Sequence, residues 1–538
     1  MLALAVNNRW HRLCTLFCGF LWGLLVVLLY SIYMLSFLGQ RYNARVFTFN
    51  IFYGYLKSLT AFVQFSHIGV MWLFLVIAVV PVSVLAIYLR YARRISGLFI
   101  SLHRPRSSHK NTIAVALLVT AVLCITLRVK YDRQFLRGGD LFSAVCLQSF
   151  QGEFLSNKIE SHLVRDNYPK NIVFERKNVI LIVVDALRAD HLGVYGYKRN
   201  TSPFIDSMVA AKAFKKVNIM LSSAGASFPC VLSMLRSKSW HNMSDRNFSL
   251  PELLHDQGYR LNFLVSGDHT HFYGLKSYYS DTFNYYIDGY TTRQYTVNDD
   301  RIIFEGLQAT QPYNGPPGYF HLHLNSVHRA GLKLKENKQF MPDDPLNNVE
   351  CYINNYDNGV VQADANIRRI FDELQVKGYL SNSIVMITAD HGESMGENGI
   401  FGHSRNVYAS HTVVPLLIYD PENYAYKNLD VATQTDIAPT IVDRLGLPVP
   451  PTWEGFSLLK DRPETYTYQE MLKYYAVVHS KGQLLLKYIY NESTNTEELY
   501  NLRTDLYEHH NIIDSIARQS PAEINILRQK IKSVVVKN

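Results

Sequence analysis

Residues 178–184 read NVILIVV, and residues 185–197 continue as DALRADHLGVYGY. An unbroken apolar run of this length is typical of a strand buried on both faces, as in the interior of a parallel sheet. A charged residue, Asp185, follows at once. Chemistry in open parallel sheets collects at the carboxyl ends of strands. This stretch therefore predicts a central strand with a functional carboxylate at its end.

Comparable apolar runs recur along the chain, at Tyr259–Val265, Tyr319–Leu324, Ser383–Thr388 and Val414–Tyr419. Helix-like stretches such as Val360–Leu374 lie between them. This alternation predicts an α/β domain over residues 177–538, with a mainly parallel sheet and flanking helices.

Three segments near the C-terminus alternate between apolar and polar residues and lie close together, at Tyr475–His479, Gln483–Tyr490 and Glu498–Leu502. They predict a small antiparallel sheet. Residues 138–176 precede the α/β pattern and are predicted to be a connector.

The charge of the 538-residue chain is divided unevenly. Residues 1–137 hold 15 Lys and Arg against one acid, a charge of +14, whereas the remainder holds 39 Lys and Arg against 44 Asp and Glu, a charge of −5. The hydrophobic fraction of 48% argues against a largely disordered chain. Basic loops within an apolar region predict a membrane anchor and no nucleic-acid surface.

Three uncharged apolar runs lie in this region: the 28 residues between Arg12 and Arg41, the 22 of Ile68–Leu89 and the 16 of Thr112–Leu127. A membrane-spanning helix needs about 20 residues, with a lower limit near 17. We therefore predict about three transmembrane helices in an anchor over residues 1–137. Buried core helices are the alternative interpretation.

Val46–Phe65 is apolar and aromatic but has Lys57 near its centre. This favours an interfacial helix over a fourth span. The loop Arg90–Lys110 carries six basic residues, which predicts that it is cytoplasmic. Three spans then predict a multi-pass protein of the cytoplasmic (inner) membrane, with the α/β domain on its outer, periplasmic side.

Six cysteines are too few for a disulfide scaffold. Cys146, Cys230 and Cys351 belong to the part predicted to lie outside, where a disulfide could persist. One pair with one leftover thiol is compatible with the sequence, which leaves the pairing open.

Polar residues follow three of the predicted strands: Asp185, Asn325–His328, and Asp390–His391 with His403 after them. Carboxylates and imidazoles at neighbouring strand ends suit a metal or oxyanion site. Taken singly, Asp185 could cap the next helix, and His328 could be a surface loop residue. Their joint placement at strand ends favours one shared site.

The segment Ser227–Cys230 opens the apolar stretch VLSML. Ser with Pro in the first turn predicts a helix start with Ser227 at the N-cap. A hydroxyl there lies where free N–H groups and the helix dipole favour an anion, which suits a nucleophile that becomes esterified. An ordinary capping serine is the alternative. We also predict that His269 contacts the substrate.

An ordered series of motifs runs from about residue 178 to about residue 511: VVDALRADHLGVYGY, TSPFIDSM, SFPCVLSMLRS, YDNGVVQADANIRRIFDEL, ITADHGESMGENG, VVPLLIYDP, QTDIAPTIVDRLGLP and LYNLRTDLYEHHNI. Together these motifs resemble the sulfatase and alkaline phosphatase superfamily. ADHGESMGENG and the SFPC segment are similar to membrane-anchored phosphoethanolamine transferases in particular.

The resemblance implies a metal-dependent nucleophilic mechanism, in which a covalent ester forms and water or an acceptor alcohol resolves it. It implies one metal held by the nucleophile Ser227 together with Asp185, Asp390 and His391. It also implies a second metal or a substrate oxyanion in contact with His328 and His403.

Departures from the family's motifs favour a subgroup. Sulfatases resemble Cys/Ser-x-Pro-x-Arg at the nucleophile, but Val231 takes the arginine position here. Ala186 and His391 stand where calcium-binding sulfatases usually have Asp and Asn. Phosphoethanolamine transferases place a threonine where this chain has Ala224, so Ser223 is a second candidate nucleophile.

We therefore predict a membrane-anchored enzyme that transfers or hydrolyses a phosphoryl-linked group on lipid or glycan outside the cytoplasmic membrane. A sulfatase is the first alternative, and a catalytically inactive lipid-binding sensor is the second. The predicted cofactor is a divalent metal. Zinc is favoured because imidazole suits zinc or manganese better than calcium. Manganese and calcium are the alternatives.

Overall fold

The computed structural model describes residues 164–170, 172–244, 247–270, 274–345, 348–422 and 424–535. The anchor predicted for residues 1–137, with its spans and its interfacial helix, lies outside the described residues, as does most of the predicted connector. Of the helices in the described part, none is both long and apolar enough to cross a membrane.

The strands, in chain order, are β1 (Asn178–Val184), β2 (Phe214–Lys216), β3 (Ile219–Leu221), β4 (Arg260–Val265), β5 (Tyr285–Ile287), β6 (Gly318–Leu324), β7 (Ser383–Ala389), β8 (Ser394–Met395), β9 (Phe401–Gly402), β10 (Val413–Val414), β11 (Leu416–Tyr419), β12 (Val431–Thr433), β13 (Thr465–Met471), β14 (Tyr474–Lys481), β15 (Leu484–Asn491) and β16 (Thr496–Asn501). The α-helices are α1 (Pro203–Ala210), α2 (Ser227–Arg236), α3 (Leu250–Asp256), α4 (Lys276–Tyr279), α5 (Arg301–Ala309), α6 (Val349–Val376), α7 (Ala409–Thr412), α8 (Ile437–Arg444), α9 (Ile513–Gln519) and α10 (Pro521–Val535).

Seven of these strands form the central sheet, in the order β2-β11-β7-β1-β6-β4-β5. The five strands from β7 to β5 pair in parallel, and β11 runs antiparallel to both of its neighbours. Every residue of β1 is buried, as its unbroken apolar run predicts. The mixed α/β fold with a mostly parallel central sheet is therefore confirmed.

The run Val414–Tyr419 forms two strands instead of one. Pro415 divides it, because a proline has no N–H group to donate to a strand ladder. Val414 before it pairs with β3 in a three-stranded sheet, while Leu416–Tyr419 after it pairs with β7. The other predicted strands of the central sheet begin and end within one residue of their observed bounds.

The C-terminal antiparallel sheet is also confirmed, and it has four strands, β13-β14-β15-β16. Successive side chains of β14 point to opposite faces. Tyr475 and Val477 pack with α10 through Leu527, whereas Ala476 and Val478 join a second cluster of buried apolar residues. The sequence did not predict β13, whose half-buried TYTYQEM pattern is less apolar than its neighbours.

Two of the three cysteines predicted to lie outside, Cys230 and Cys351, are buried, and no disulfide joins them. Cys146 lies outside the described residues. The structure therefore contains no bridge between the two cysteines that it describes.

Candidate active site

Three strand ends of the central sheet meet at one edge. β1 lies between β6 and β7, and Val184 pairs with both Leu324 and Ala389. The residues that follow β1 and β7, Asp185 and Asp390, therefore leave the sheet side by side. This arrangement follows directly from the parallel register of the sheet.

The two carboxylates at this edge are buried, and each keeps an oxygen without a partner. Oδ1 of Asp185 and Oδ2 of Asp390 accept no hydrogen bond from any described residue. Oδ1 of Asp390 accepts hydrogen bonds from the N–H groups of Ala186 (3.1 Å) and His391 (2.8 Å). Buried carboxylates with unpaired oxygens are costly unless a cation neutralises them. This pair therefore fits a metal ion.

His323, on β6, completes the cluster. Its Nε2 lies 3.6 Å from Oδ2 of Asp185, and neither ring nitrogen has a hydrogen-bond partner in the described part of the chain. Three possible ligand atoms, one from each of Asp185, His323 and Asp390, lie within 4.8 Å of one another. Burial opposes protonation of His323, yet Asp185 and Asp390 raise its pKa. The cluster therefore attracts positive charge.

His323 is a site residue that the sequence reasoning missed. The available signal was the alternation of His321 and His323 within the apolar strand GYFHLHL, since side chains two apart share one face of a strand. Only the second reaches the carboxylates, because it is closer to the strand end. His321 stacks on Phe263, with 5.3 Å between ring centroids.

His391 links the carboxylates to the predicted nucleophile. Its Nε2 lies 3.2 Å from Oγ of Ser227, 3.8 Å from Oδ1 of Asp185 and 3.6 Å from Oδ2 of Asp390. Its Nδ1 lies 2.8 Å from the carbonyl oxygen of Gly392. A carbonyl only accepts, so Nδ1 donates its hydrogen there and Nε2 keeps a lone pair. That lone pair faces both the carboxylates and the hydroxyl.

Ser227 is the first residue of α2, and the extended residue Ala226 occupies the N-cap position. The prediction of Ser227 as the N-cap is therefore wrong by one residue. Its hydroxyl lies 3.2 Å from Nε2 of His391. Burial of Ser227 is almost complete.

The second candidate nucleophile lies elsewhere. Ser223 lines a small separate cavity together with Thr433 and Gln469. Its N–H donates to Oε1 of Gln434, at 2.9 Å. The structure therefore brings Ser227, and not Ser223, to His391.

The other two predicted histidines lie in loops and form a second layer. The His403 ring centroid lies 4.4 Å from that of His391 and 5.0 Å from that of His328. Nδ1 of His403 lies 4.0 Å from Oε1 of Glu393, which accepts a 2.6 Å hydrogen bond from the Tyr352 hydroxyl. Burial, with the charges of His391 and His328, lowers the pKa of His403 well below its usual value. His403 is therefore neutral near pH 7.

His328 and His391 use Nδ1 in opposite ways: Nδ1 of His391 donates a hydrogen bond, whereas Nδ1 of His328 accepts one. The N–H of Ala330 donates to Nδ1 of His328, at 3.1 Å. Nδ1 therefore carries no hydrogen, and in the neutral ring Nε2 carries it. Burial alone would raise the pKa of Asp185, but His328, followed by His323 and His391, lowers it. His328 therefore lies close enough to the carboxylates to act on them.

Two buried charged residues hold the loop that carries His328. The carboxylate of Asp300 accepts the N–H groups of Asn325 (2.7 Å) and Ser326 (3.1 Å). The ammonium group of Lys333 donates to the carbonyl oxygens of His328 (2.6 Å) and Gly331 (3.1 Å). Hydrogen bonds to charged groups are stronger than those between neutral groups, so the backbone of this loop is firmly fixed.

The structure places His269 behind His323, with 4.8 Å between ring centroids. Its Nε2 lies 3.0 Å from the carbonyl oxygen of Ser266, and its Nδ1 lies 2.6 Å from the Tyr279 hydroxyl. Only 1% of His269 is exposed. This geometry favours a role for His269 in holding the ring of His323 over the contact with substrate that we predicted for His269.

Comparison with known proteins finds a family model and several relatives that match this chain. A family model described as Sulfatase matches residues 177–447. Arylsulfatase K of Bos taurus is 29% identical over 278 residues, which cover 44% of this chain and 51% of the relative. The Kdo(2)-lipid A phosphoethanolamine 7''-transferase of Salmonella typhimurium is 24% identical over 262 residues, which cover 46% of this chain and 45% of the relative. The matches thus span about half the length of these relatives.

A solved structure shows the same fold. The phosphonate monoester hydrolase of Agrobacterium radiobacter superposes with a TM-score of 0.50 at 16% sequence identity, over 67% of this chain and 96% of that one. At this identity the likeness establishes only the fold. The relatives therefore include both sulfate-ester and phosphoryl chemistry.

Proposed function

This chain belongs to the sulfatase family, and from that premise we propose that it is a metal-dependent enzyme that transfers or hydrolyses a phosphoryl-linked group. The observation that carries the proposal is the 3.2 Å contact between Oγ of Ser227 and Nε2 of His391. Because Nε2 keeps its lone pair, it can accept the hydroxyl proton.

Ser227 acts as the nucleophile in this proposal. Its Oγ forms a bond to phosphorus while the bond from phosphorus to the leaving oxygen breaks, and the hydroxyl proton moves to Nε2 of His391. Water or an acceptor alcohol then attacks the phosphoryl ester and frees Ser227. The start of α2 supports this role, because free N–H groups and the positive end of the helix dipole favour an anion there.

Two carboxylates and one imidazole at the strand ends would hold the cofactor. Asp185, Asp390 and His323 would supply two oxygen donors and one nitrogen donor for one divalent ion, and Nε2 of His391 would keep its lone pair for the Ser227 proton. Such an ion neutralises phosphoryl oxygens and lowers the pKa of a bound hydroxyl. A donor set that contains imidazole favours zinc or manganese over calcium.

His328 and His403 have different proposed roles. Nε2 of His328 carries hydrogen in the neutral ring, and a nitrogen that carries hydrogen has no lone pair for a metal. We expect His328 to donate that hydrogen to a substrate oxygen. The unpartnered Nδ1 of His403 is the better candidate for contact with a second metal or with the substrate.

The departures at two positions support phosphoryl chemistry over sulfate-ester chemistry. Val231, at the position of the family's arginine, is fully buried within α2 and supplies no charge. Ala186 occupies the position of the second Asp of calcium-binding sulfatases and is also fully buried. The match to an arylsulfatase keeps sulfate-ester hydrolysis as the second candidate.

We also propose that the enzyme is anchored in the cytoplasmic membrane, with its catalytic domain outside, and acts on lipid or glycan. The support is the three uncharged apolar runs before residue 138 and the six basic residues of Arg90–Lys110. The name of one relative, a lipid A phosphoethanolamine transferase, agrees with a lipid substrate.

The proposal can be tested by mass spectrometry of the purified full-length protein after incubation with membrane lipids. We expect a phosphoryl-linked adduct on the peptide that contains Ser227. Ser227→Ala should abolish the adduct, and Ser223→Ala, a change of the same size in the same segment, should retain it.

Each other outcome has a defined meaning. An adduct on Ser223 would refute the assignment of the nucleophile. Turnover of an aryl sulfate without turnover of any phosphodiester would favour the sulfatase alternative. Absence of bound metal, adduct and turnover together would favour the inactive lipid-binding sensor.

A further inference from the structure

The residue after His328, Arg329, is an arginine without an ion-pair or hydrogen-bond partner in the described part of the chain. The Arg329 side chain is partly buried, and its Nε is buried without a hydrogen-bond partner. Among the described residues no carboxylate forms an ion pair with it. A guanidinium group removed from water is costly unless hydrogen bonds and opposite charge compensate it.

Three other arginines in the described part are buried: Arg236 donates to the carbonyl oxygens of Ser244 and Tyr278, and the other two pair with carboxylates. Arg188 pairs with Asp190 at 2.7 Å and with Glu397 at 2.5 Å. Arg444 pairs with Asp420 at 2.7 Å and with two further carboxylates. Arg329 has no such compensation, although it lies beside the reaction centre.

The surroundings of Arg329 place it on the outer side of the site. Burial is the main cause that raises the pKa of the Tyr352 phenol, and the positive charge of Arg329 opposes this rise. The Tyr352 hydroxyl donates to Glu393, which lies beside His403. Arg329 therefore lies near Tyr352 and Glu393, in the same layer as the loop histidine His403.

The segment around it is positive. Residues 328–338 contain Arg329, Lys333, Lys335 and Lys338 against one acid, Glu336. Two of these cations are already engaged, because Lys333 donates to two carbonyl oxygens and Lys338 pairs with Asp343 at 2.8 Å. Arg329 is partly buried and forms no ion pair or side-chain hydrogen bond with the residues that the structure describes.

We infer that Arg329 binds a second anionic group of the substrate, a phosphate or a carboxylate distinct from the reacting phosphoryl centre. This inference rests on the proposed function and narrows its substrate class. A guanidinium group presents a planar fork of donors that matches either anion with two parallel hydrogen bonds. The anion would supply the compensation that the protein itself lacks.

The test uses three synthetic phosphodiesters with the same 4-nitrophenyl leaving group and a second alcohol that ends in a methyl group, a carboxylate or a phosphate. With the metal-loaded full-length enzyme, we expect kcat/KM to be about 10- to 100-fold higher for at least one anionic diester than for the methyl diester, the range of a charge-assisted hydrogen bond. The two anionic substrates show which anion is preferred.

Arg329→Gln should reduce this preference to about one, chiefly through KM, and Arg329→Lys should restore part of it. Lys335→Gln is the matched control, because it removes an exposed cation of the same segment, and the preference should survive. A preference unchanged in Arg329→Gln, or absent in the wild type, overturns the inference. Absence of turnover of all three diesters would instead refute the proposed function.

Discussion

Two groups of residues form the candidate site, and they are held in different ways. The strand-end cluster consists of Asp185, His323, Asp390 and His391, and the loop cluster consists of His328, Arg329 and His403. Members of the strand-end cluster have side chains at most 2% exposed and lie on, or directly after, hydrogen-bonded strands. His403, by contrast, keeps 16% of its side chain exposed.

The difference shows where supporting residues are needed. The backbone of the parallel sheet already fixes the strand-end cluster. The loop cluster depends on additional side chains outside the sheet: Asp300 and Lys333 hold the loop of His328, and His411 contacts the loop of His403. We therefore expect the strand-end cluster to govern metal binding and the loop cluster to govern the substrate.

The largest effect is expected at a strand end. Asp390→Asn removes a carboxylate charge that the other ligands cannot replace, so both bound metal and turnover should be lost. Ser227→Ala is the comparison: it should lower turnover by a factor on the order of 10³ or more while metal stays bound. Metal analysis beside a phosphodiester assay distinguishes the two. Unchanged metal content in Asp390→Asn would refute the metal site.

In the loop cluster, His328→Ala should lower kcat by about 100-fold, the lower end of typical general-acid effects. Metal content should not change, because Nε2 of His328 carries hydrogen and is not a ligand. His328→Gln, whose amide can still donate a hydrogen bond, should recover part of the activity. Loss of metal from His328→Ala would show that His328 binds metal and would remove the distinction between the clusters.

A smaller effect is expected for His323, the ligand that the sequence did not reveal. His323→Ala should weaken metal affinity by about 10- to 100-fold, a loss typical of a residue that supports or completes a metal site. His321→Phe is the matched control on the same strand, and it should retain metal. Chelator competition measures both affinities, and equal values for the two variants would exclude His323 from the site.

The last expected effect concerns the support of the loop cluster, and it changes stability without acting on metal or substrate directly. The ring nitrogens of His411 contact the carbonyl oxygens of Gly402 (3.0 Å) and Asn406 (3.2 Å), and burial lowers the pKa of His411 to about 4. The unfolded chain takes up this proton near pH 6.5, before the folded protein does. As the pH falls from about 6.5 to 4, the free energy of unfolding should therefore fall by at most about 3 kcal/mol through His411.

The measurement is chemical denaturation of the full-length protein in detergent at pH 7 and at pH 4.5. His411→Gln should show a smaller loss of stability between these values than the wild type. Burial also lowers the pKa of His269, His321 and His403, so the difference between the two proteins is the relevant quantity. An identical loss in both would exclude His411 as a source of the pH dependence.

The sequence predicted much of the strand-end cluster, because its signals are local. An unbroken apolar run marks a buried parallel strand, and the polar residue after it must emerge at the sheet edge. Asp185, Asp390 and His391 were identified in this way. His323 was missed because it lies inside a strand, where a buried histidine does not differ in pattern from a core residue.

Other features depend on contacts that no local pattern contains. Proline at position 415 was visible in the sequence, but the assignment of its two flanking strands to different sheets depended on their partners. The position of Ser227 inside α2, and its approach to His391 across 164 residues of chain, likewise required the assembled fold.

The sequence by itself determined the α/β class, the order of the site motifs and the residues that end the central strands, since hydrophobic periodicity and register are properties of short segments. Only the tertiary structure decided which atoms of those residues face one another. The Gly392 carbonyl assigns the lone pair of His391 to Nε2, and the Ala330 N–H assigns the hydrogen of His328 to its Nε2. The same side chain thus becomes an acceptor in one place and a donor in the other, because a hydrogen bond at one ring nitrogen fixes the state of the other.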